Sequence, residues 1–205
     1  MEFKSSLLNQ AVEQMASLPG IGKRTALRLV LNLLNKEKSE VSQFSNSFIR
    51  LKENVQFCDT CFNIADSNIC DICANPKRDD SVICIVQDIR DVMAIESTGQ
   101  YFGKYHVLGG VISPMEGVGP EDLTINSLLE RVATGTIKEL IFGLPATMEG
   151  DTTNFFIYRK VQQMDIKMSL ISRGIGVGNQ LEYIDELTLG KSIMNRSPYE
   201  INFSA

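Results

Sequence analysis

The chain reads as a multidomain α/β protein, with a helical N-terminal arm and a four-cysteine finger ahead of a parallel-sheet body and a short tail. Three observations carry that reading. Four of the five cysteines crowd into Cys58-x-x-Cys61 and Cys70-x-x-Cys73. Apolar residues before them recur at helical spacing. After Asp79-Asp80, short continuous apolar runs alternate with helical segments, the pattern of strands covered on both faces in βαβ units. The expected divisions are 1–54 for the arm, 55–78 for the finger, 79–177 for the body and 178–205 for the tail.

In the arm, Leu7, Leu8, Ala11, Val12, Met15 and Leu18 predict an amphipathic helix over Ser5–Leu18. A second helix fits Lys23–Leu34, with Leu27, Val30, Leu31 and Leu34 inward, and Val41, Phe44, Phe48 and Leu51 mark a third. Between the first two lies Leu18-Pro19-Gly20-Ile21-Gly22. Pro19 ends the first helix, the paired Gly20 and Gly22 admit backbone angles that other residues resist, and Ile21 can plug inward. That leaves bare backbone N–H groups at the next helix's N-terminus, which suit a phosphate and read no sequence. Lys23, Arg24 and Arg28 follow, the two arginines one turn apart on one face. The segment looks like a helix-hairpin-helix that grips the DNA backbone; the plain alternative is an ordinary glycine turn between helices.

The finger's spacing lets the two thiolates of each tight turn point at one ion. Two such turns, Cys58/Cys61 and Cys70/Cys73, complete a closed tetrahedral sulfur site of the kind structural zinc prefers. The intervening Phe62–Ile69 loop is too short and polar to build its own core, so a metal would supply much of the folding free energy. Two disulfides are the competing reading. Met1–Gln10 has no apolar run and cleavage site of a secretory signal, which favours reduced thiols, zinc and a cytoplasmic location. Cys84 lies in an apolar strand, where a free thiol acts as a small hydrophobe.

In the body, strands are expected at Ser81–Val86, His106–Leu108, Glu139–Leu144 and Ile166–Ile171, and helices at Asp88–Ser97, Leu123–Ala133 and Asn154–Met164. Functional loops belong at the strands' C-terminal ends. These carry Gln87-Asp88 and Thr147-Met148-Glu149-Gly150-Asp151. Carboxylates from neighbouring ends could share magnesium; the alternative is two solvated acidic loops, with Asp151 capping the following helix. His106, the single histidine, reads as a structural hydrogen-bonding residue. Arg173-Gly174-Ile175-Gly176-Val177-Gly178 lacks the lysine of a nucleotide loop.

Composition limits the choices further. With 205 residues and 43% hydrophobic content, the chain can hold one sizeable core or two to three small ones. The net charge of −5 gives no support to a generic nucleic-acid binder. Residues 1–60, however, carry eight Lys/Arg against six Asp/Glu (+2), leaving 12 against 19 (−7) for residues 61–205. That is a mildly basic arm on an acidic body. No run of about 18 apolar residues exists to span a membrane.

The order of these motifs resembles the RecR family of bacterial recombination mediators over almost the whole chain. The shared features are the Leu-Pro-Gly-Ile-Gly hairpin, the four-cysteine finger, Ile85-Val86-Gln87-Asp88, Tyr105-His106-Val107-Leu108-Gly109-Gly110, and Met148-Glu149-Gly150-Asp151-Thr152-Thr153. Ile112–Pro120 and Leu181–Leu189 belong to the same pattern. The resemblance implies a Toprim body and a Walker-B-like C-terminal tail. It also implies a homo-oligomer, a tetrameric ring that encircles or clasps DNA and works with RecO and RecF to load RecA at gaps. Arg24 and Arg28 match the family's DNA-contacting hairpin residues. Glu149 and Asp151 offer an acidic docking surface for a basic partner such as RecO.

Two departures qualify the resemblance. Catalytic Toprim enzymes end the first strand in a glutamate that moves a proton, and RecR-like chains usually keep it; here the residue is Gln87, whose amide cannot do so. Asp88 points to the other side of an extended strand, and Glu149-Gly150-Asp151 replaces an Asp-x-Asp pair. Gly22-Lys23-Arg24 stands where Gly-Pro-Lys is frequent, adding one positive charge. The expected function is therefore a non-enzymatic DNA clamp and mediator. The alternatives are a metal-dependent Toprim-type nuclease or primase, and a zinc-bearing adaptor that binds only proteins.

Overall fold

The computed structural model describes residues 4–196; residues 197–205 of the expected tail and 1–3 of the arm lie outside the described residues. The chain divides into two compact units, one through Val55 and one from Gln56 onward.

The first unit is helical: α1 (Ser6–Ala16), α2 (Lys23–Leu34) and α3 (Lys38–Asn54). Ser5 caps α1, its hydroxyl accepting from the Leu8 N–H. The chain then turns sharply, with Ile21 N–H donating to Leu18 O at 3.1 Å. Gly20 sits at φ +79°, a conformation costly for any residue with a Cβ. Gly22 does not need that freedom: it is extended, at φ −79° and ψ 160°. Val12, Ala26 and Val30 form the small core, with Leu8, Met15, Ile21 and Leu27 packed against it. The inward plug expected of Ile21 is present. Leu31 and Leu34, expected inward, are 42% and 73% exposed, and no residue of α3 is buried. Three short helices make one narrow contact stripe, and an apolar residue off that stripe has no second layer to enter.

The second unit begins with the finger. β1 (Gln56–Phe57) pairs antiparallel with β2 (Ile64–Ala65), and α4 (Asp71–Ala74) follows. The body is a fully parallel four-stranded sheet of β3 (Asp79–Val86), β4 (Gly103–Val107), β5 (Glu139–Phe142) and β6 (Lys167–Leu170), in spatial order β4-β3-β5-β6. The connecting helices are α5 (Ile89–Ser97), α6 (Ile125–Ala133) and α7 (Met148–Val161); α8 (Glu186–Met194) comes last. The apolar run in β3 divides by strict alternation. Ile83 and Ile85 enter a core with Leu128 and Val132 of α6 and Ile157 and Val161 of α7. Cys84 and Val86 join Tyr105, Val107 and Val92 of α5 on the other face. The expected α/β sheet, covered on both faces, is the observed one.

Two body elements start three or more residues before their expected positions. The third body helix starts at Met148 rather than Asn154, capped by Thr147, whose hydroxyl accepts from Gly150 N–H at 3.1 Å. Asp151 is therefore inside the helix and caps nothing. Gly150 reads as a breaker in sequence, yet a Cβ there would lie 2.0 Å from Pro145 O. The glycine admits a close backbone approach within a helix. Strand β4 starts three residues before its expected position, and all five of its residues are buried although it is a sheet edge. The finger accounts for that burial: Val107 N–H donates to Cys61 O at 2.8 Å, Phe62 and Ile72 pack on the Cys84–Tyr105 core, and Ile72 also touches the cysteines.

Candidate metal centre and nucleic-acid interface

The β1–β2 hairpin and the first turn of α4 bring Cys58, Cys61, Cys70 and Cys73 together, with all four Sγ atoms within 4.8 Å of one another. Phe62 adopts a left-handed φ of 61°, and Cys58 N–H reaches Asn63 O at 2.8 Å, which closes the first knuckle. Cys70 Sγ accepts from Cys73 N–H at 3.4 Å, which shapes the second. The Cys61 and Cys70 sulfurs are 3.5 Å apart and all five cysteines are unpaired thiols, so the disulfide reading fails. Zn–S bonds of about 2.3 Å in a tetrahedron place sulfurs about 3.8 Å apart, close to this spacing.

The electrostatics point to a central cation. Cys73 is drawn down, chiefly by the hydrogen bond it takes from Cys61. Cys61 is pushed up by that same bond and by burial, and burial pushes Cys70 up. Four sulfurs clustered this closely, three of them buried, cannot all ionise unless a cation offsets their repulsion. Cys58, Cys61, Cys70 and Cys73 thus fit structural zinc, which when bound supplies cross-linking and folding free energy.

At the hairpin, no side chain caps the α2 N-terminus. A Cβ on Gly22 would meet nothing of this chain within 4 Å. Lys23, Arg24 and Arg28 are all exposed, and none forms an ion pair among the described residues. This leaves an open helix start with three available cations.

The acidic strand ends are differently disposed. Asp88 caps α5, accepting from Arg90 N–H at 2.7 Å and pairing with the Arg90 guanidinium, which holds its carboxyl below the usual range. Asp91, which sequence reasoning passed over, accepts from the N–H groups of Gln87 and Asp88 at 3.1 Å each. Asp151 pairs with Arg173 at 2.8 Å, while Glu149 is exposed in the first turn of α7. Asp88, Asp91 and Asp151 are thus committed to caps and ion pairs, and only Glu149 of this set has no such partner among the described residues.

Family models match four consecutive stretches of the chain. They are the RecR helix-hairpin-helix at residues 8–50, the RecR four-cysteine zinc finger domain at 55–75, the Toprim domain at 81–172 and the RecR C-terminal segment at 174–197. The chain is 56% identical to the recombination protein RecR of Flavobacterium johnsoniae over 203 residues, covering 99% of this chain and 98% of that protein. It is 59% identical to RecR of Bacteroides thetaiotaomicron over 196 residues, 96% of each chain, and 57% identical to RecR of Cytophaga hutchinsonii over 201 residues, 98% of each. This chain belongs to the RecR family.

The RecR finger model ends two residues beyond Cys73, so it includes all four zinc ligands. The Toprim model spans β3 to β6, and the RecR C-terminal model includes α8. In that C-terminal segment, Asp185 caps α8, accepting from Thr188 N–H at 2.8 Å, a bond that holds its carboxyl below the usual range. His106 has the structural role expected of it. It is fully buried, its Nε2 lies 3.0 Å from Thr124 O, and burial pushes it down to about 4. Burial likewise pushes Cys84 up to about 12, leaving an inert thiol. Lys104 and Arg131, which border the finger, carried no sequence signal, because single basic residues in a strand and a helix resemble surface charge.

Proposed function

We propose that this protein is a non-enzymatic, sequence-independent DNA-binding mediator of recombinational repair, working in the cytoplasm as a homo-oligomeric clamp. By the family's pattern the oligomer is a tetramer that acts with RecO and RecF to load RecA at gapped DNA. The observation that carries the DNA contact is the open α2 N-terminus: Gly20 and Gly22 in the turn, Gly22 with no neighbour at its Cβ position, and Lys23, Arg24 and Arg28 free of ion pairs among the described residues. Since Gly22 has an ordinary extended backbone, nothing inside the chain requires a glycine there. A close external approach, such as a phosphate on the helix N–H groups, does. Local charge of this kind binds DNA even when the whole chain is acidic.

The non-enzymatic reading is supported by Gln87, which cannot exchange a proton at neutral pH, and by the pairing of Asp88 with Arg90 and Asp151 with Arg173. The RecR names of the relatives likewise denote recombination rather than a catalysed reaction. The partner surface rests mainly on Glu149, whose carboxylate is exposed, whereas Asp151 already shares its charge with Arg173.

The decisive experiment is a salt titration of DNA binding. Removing two phosphate contacts by Arg24→Ala with Arg28→Ala should cut affinity at least tenfold and flatten the log–log salt slope by about 1.8 for each arm engaged. Gly22→Val should weaken binding well beyond the small loss of stability expected from replacing an N-cap glycine. Wild-type affinity in the double variant would refute the hairpin assignment, and magnesium-dependent cutting of the DNA would refute the non-enzymatic reading. For the partner surface, Glu149→Lys should abolish RecO capture in a pull-down; unaltered capture would remove Glu149 from it.

A further inference from the structure

A zinc site of four thiolates carries a net charge of two negatives, because the sulfurs outnumber the metal's two positive charges. In a poorly solvated place such a charge needs cations or hydrogen-bond donors around it. The finger itself offers no cation among its buried residues. Two stand just outside it, on the sheet body.

Lys104, in β4, is 6% exposed. Its Nζ donates to Cys73 O at 2.6 Å and lies 2.8 Å from Asp80 Oδ1. Arg131, near the end of α6, is half-buried, donates from Nη1 to Tyr105 O at 2.8 Å and forms no ion pair among the described residues. Both side chains line one cavity of about 470 Å³ together with Cys73 and Asp80.

The plain account makes Lys104 the partner of Asp80. The magnitudes go against it as the whole explanation. Burying an ammonium costs several kcal/mol, while a pair with a carboxylate 81% exposed to water returns about 0–1 kcal/mol. A second, less solvated negative charge is needed, and the cysteine cluster, whose Cys73 carbonyl Lys104 already holds, is the candidate.

We infer that Lys104 and Arg131 are the counter-cations of the zinc tetrathiolate, so that zinc affinity belongs to the sheet body as much as to the finger. Lys104 orients the second knuckle through Cys73 O, and Arg131 offsets charge across the cavity. Val107 N–H holds the first knuckle at Cys61 O. Zinc binding and closure of the finger over the β4 edge become one event.

The test is zinc competition with a chromophoric chelator on the full-length chain, comparing wild type with Lys104→Met and Arg131→Met, which keep the apolar stems. Each variant should bind zinc about 10–100-fold more weakly, and Arg131→Lys should restore most of the loss. Melting curves with and without zinc separate charge from packing. A counter-cation variant loses part of the zinc-dependent rise in melting temperature, whereas a merely structural residue lowers both curves equally. Unchanged affinity in the variants, or equal shifts of the two curves, overturns the inference. Should Lys104→Met not fold, Arg131→Met decides alone, because that side chain is partly exposed and makes one hydrogen bond.

Discussion

The helical arm and the α/β body treat their apolar residues in opposite ways. Among the described residues the arm buries three of them, Val12, Ala26 and Val30, and leaves Leu34, Phe48, Ile49 and Leu51 more than half exposed. The body encloses two continuous cores, one on each face of its sheet, and Ile83, Ile85, Leu108, Leu128, Leu140 and Ile157 are wholly inaccessible. The second of these cores is completed by Phe62 and Ile72 of the finger. The arm keeps apolar surface and unpaired cations in reserve, which suits the DNA contact and the oligomer proposed for it. The finger stands apart from both. Its buried cluster consists of Ala65 and three of its four cysteines, so the metal and the β4 edge replace a hydrophobic core.

Breaking the finger should produce the largest effect. Cys70→Ser should abolish stoichiometric zinc and expose the β4 edge, costing more than about 5 kcal/mol and lowering the melting temperature by roughly 10–20 °C. A variant that lacks zinc and melts like wild type would show that the edge is closed without metal.

The contrast between body and arm is sharpened by paired truncations read by urea unfolding. Ile83→Ala removes a wholly buried side chain and should cost about 2–5 kcal/mol. Leu34→Ala, at 73% exposure, should change stability by less than about 0.5 kcal/mol. Equal costs at the two sites would mean that the arm's exposed face is covered in solution.

A smaller and pH-dependent effect belongs to His106. The unfolded chain takes up a proton near pH 6.5, whereas the folded chain resists until about 4 because the ring is buried. Stability conferred by the neutral ring is therefore present above 6.5 and is lost progressively as pH falls to 4, by about 3 kcal/mol in all. The difference in unfolding free energy between pH 7 and pH 5 should be smaller in His106→Gln than in wild type. Identical pH slopes would show that His106 does not control acid stability.

Much of the site was legible in sequence because it is built from local spacing. Each Cys-x-x-Cys pair is one tight turn, and Leu18-Pro19-Gly20-Ile21-Gly22 is a turn between two helices whose geometry depends on neighbours along the chain. The β3 run is legible for a similar reason, since only a strand buried on both faces stays apolar at every position from Ile83 to Val86. The start of α7 was not legible, because Gly150 breaks a helix by propensity and is kept by its approach to Pro145 O, a contact that propensity does not register. Nor were the pairings of Asp151 with Arg173 and of Lys104 with Cys73 O, which join residues 22 and 31 positions apart.

The sequence alone determined the kinds of element, the four zinc ligands and the basic hairpin, since spacing and residue type act over a few residues. Tertiary structure decided which strand forms the sheet edge that the finger covers, which carboxylates are already paired, and which leucines of the arm remain in water. Those outcomes depend on which distant segments compete for the same buried space and the same charge.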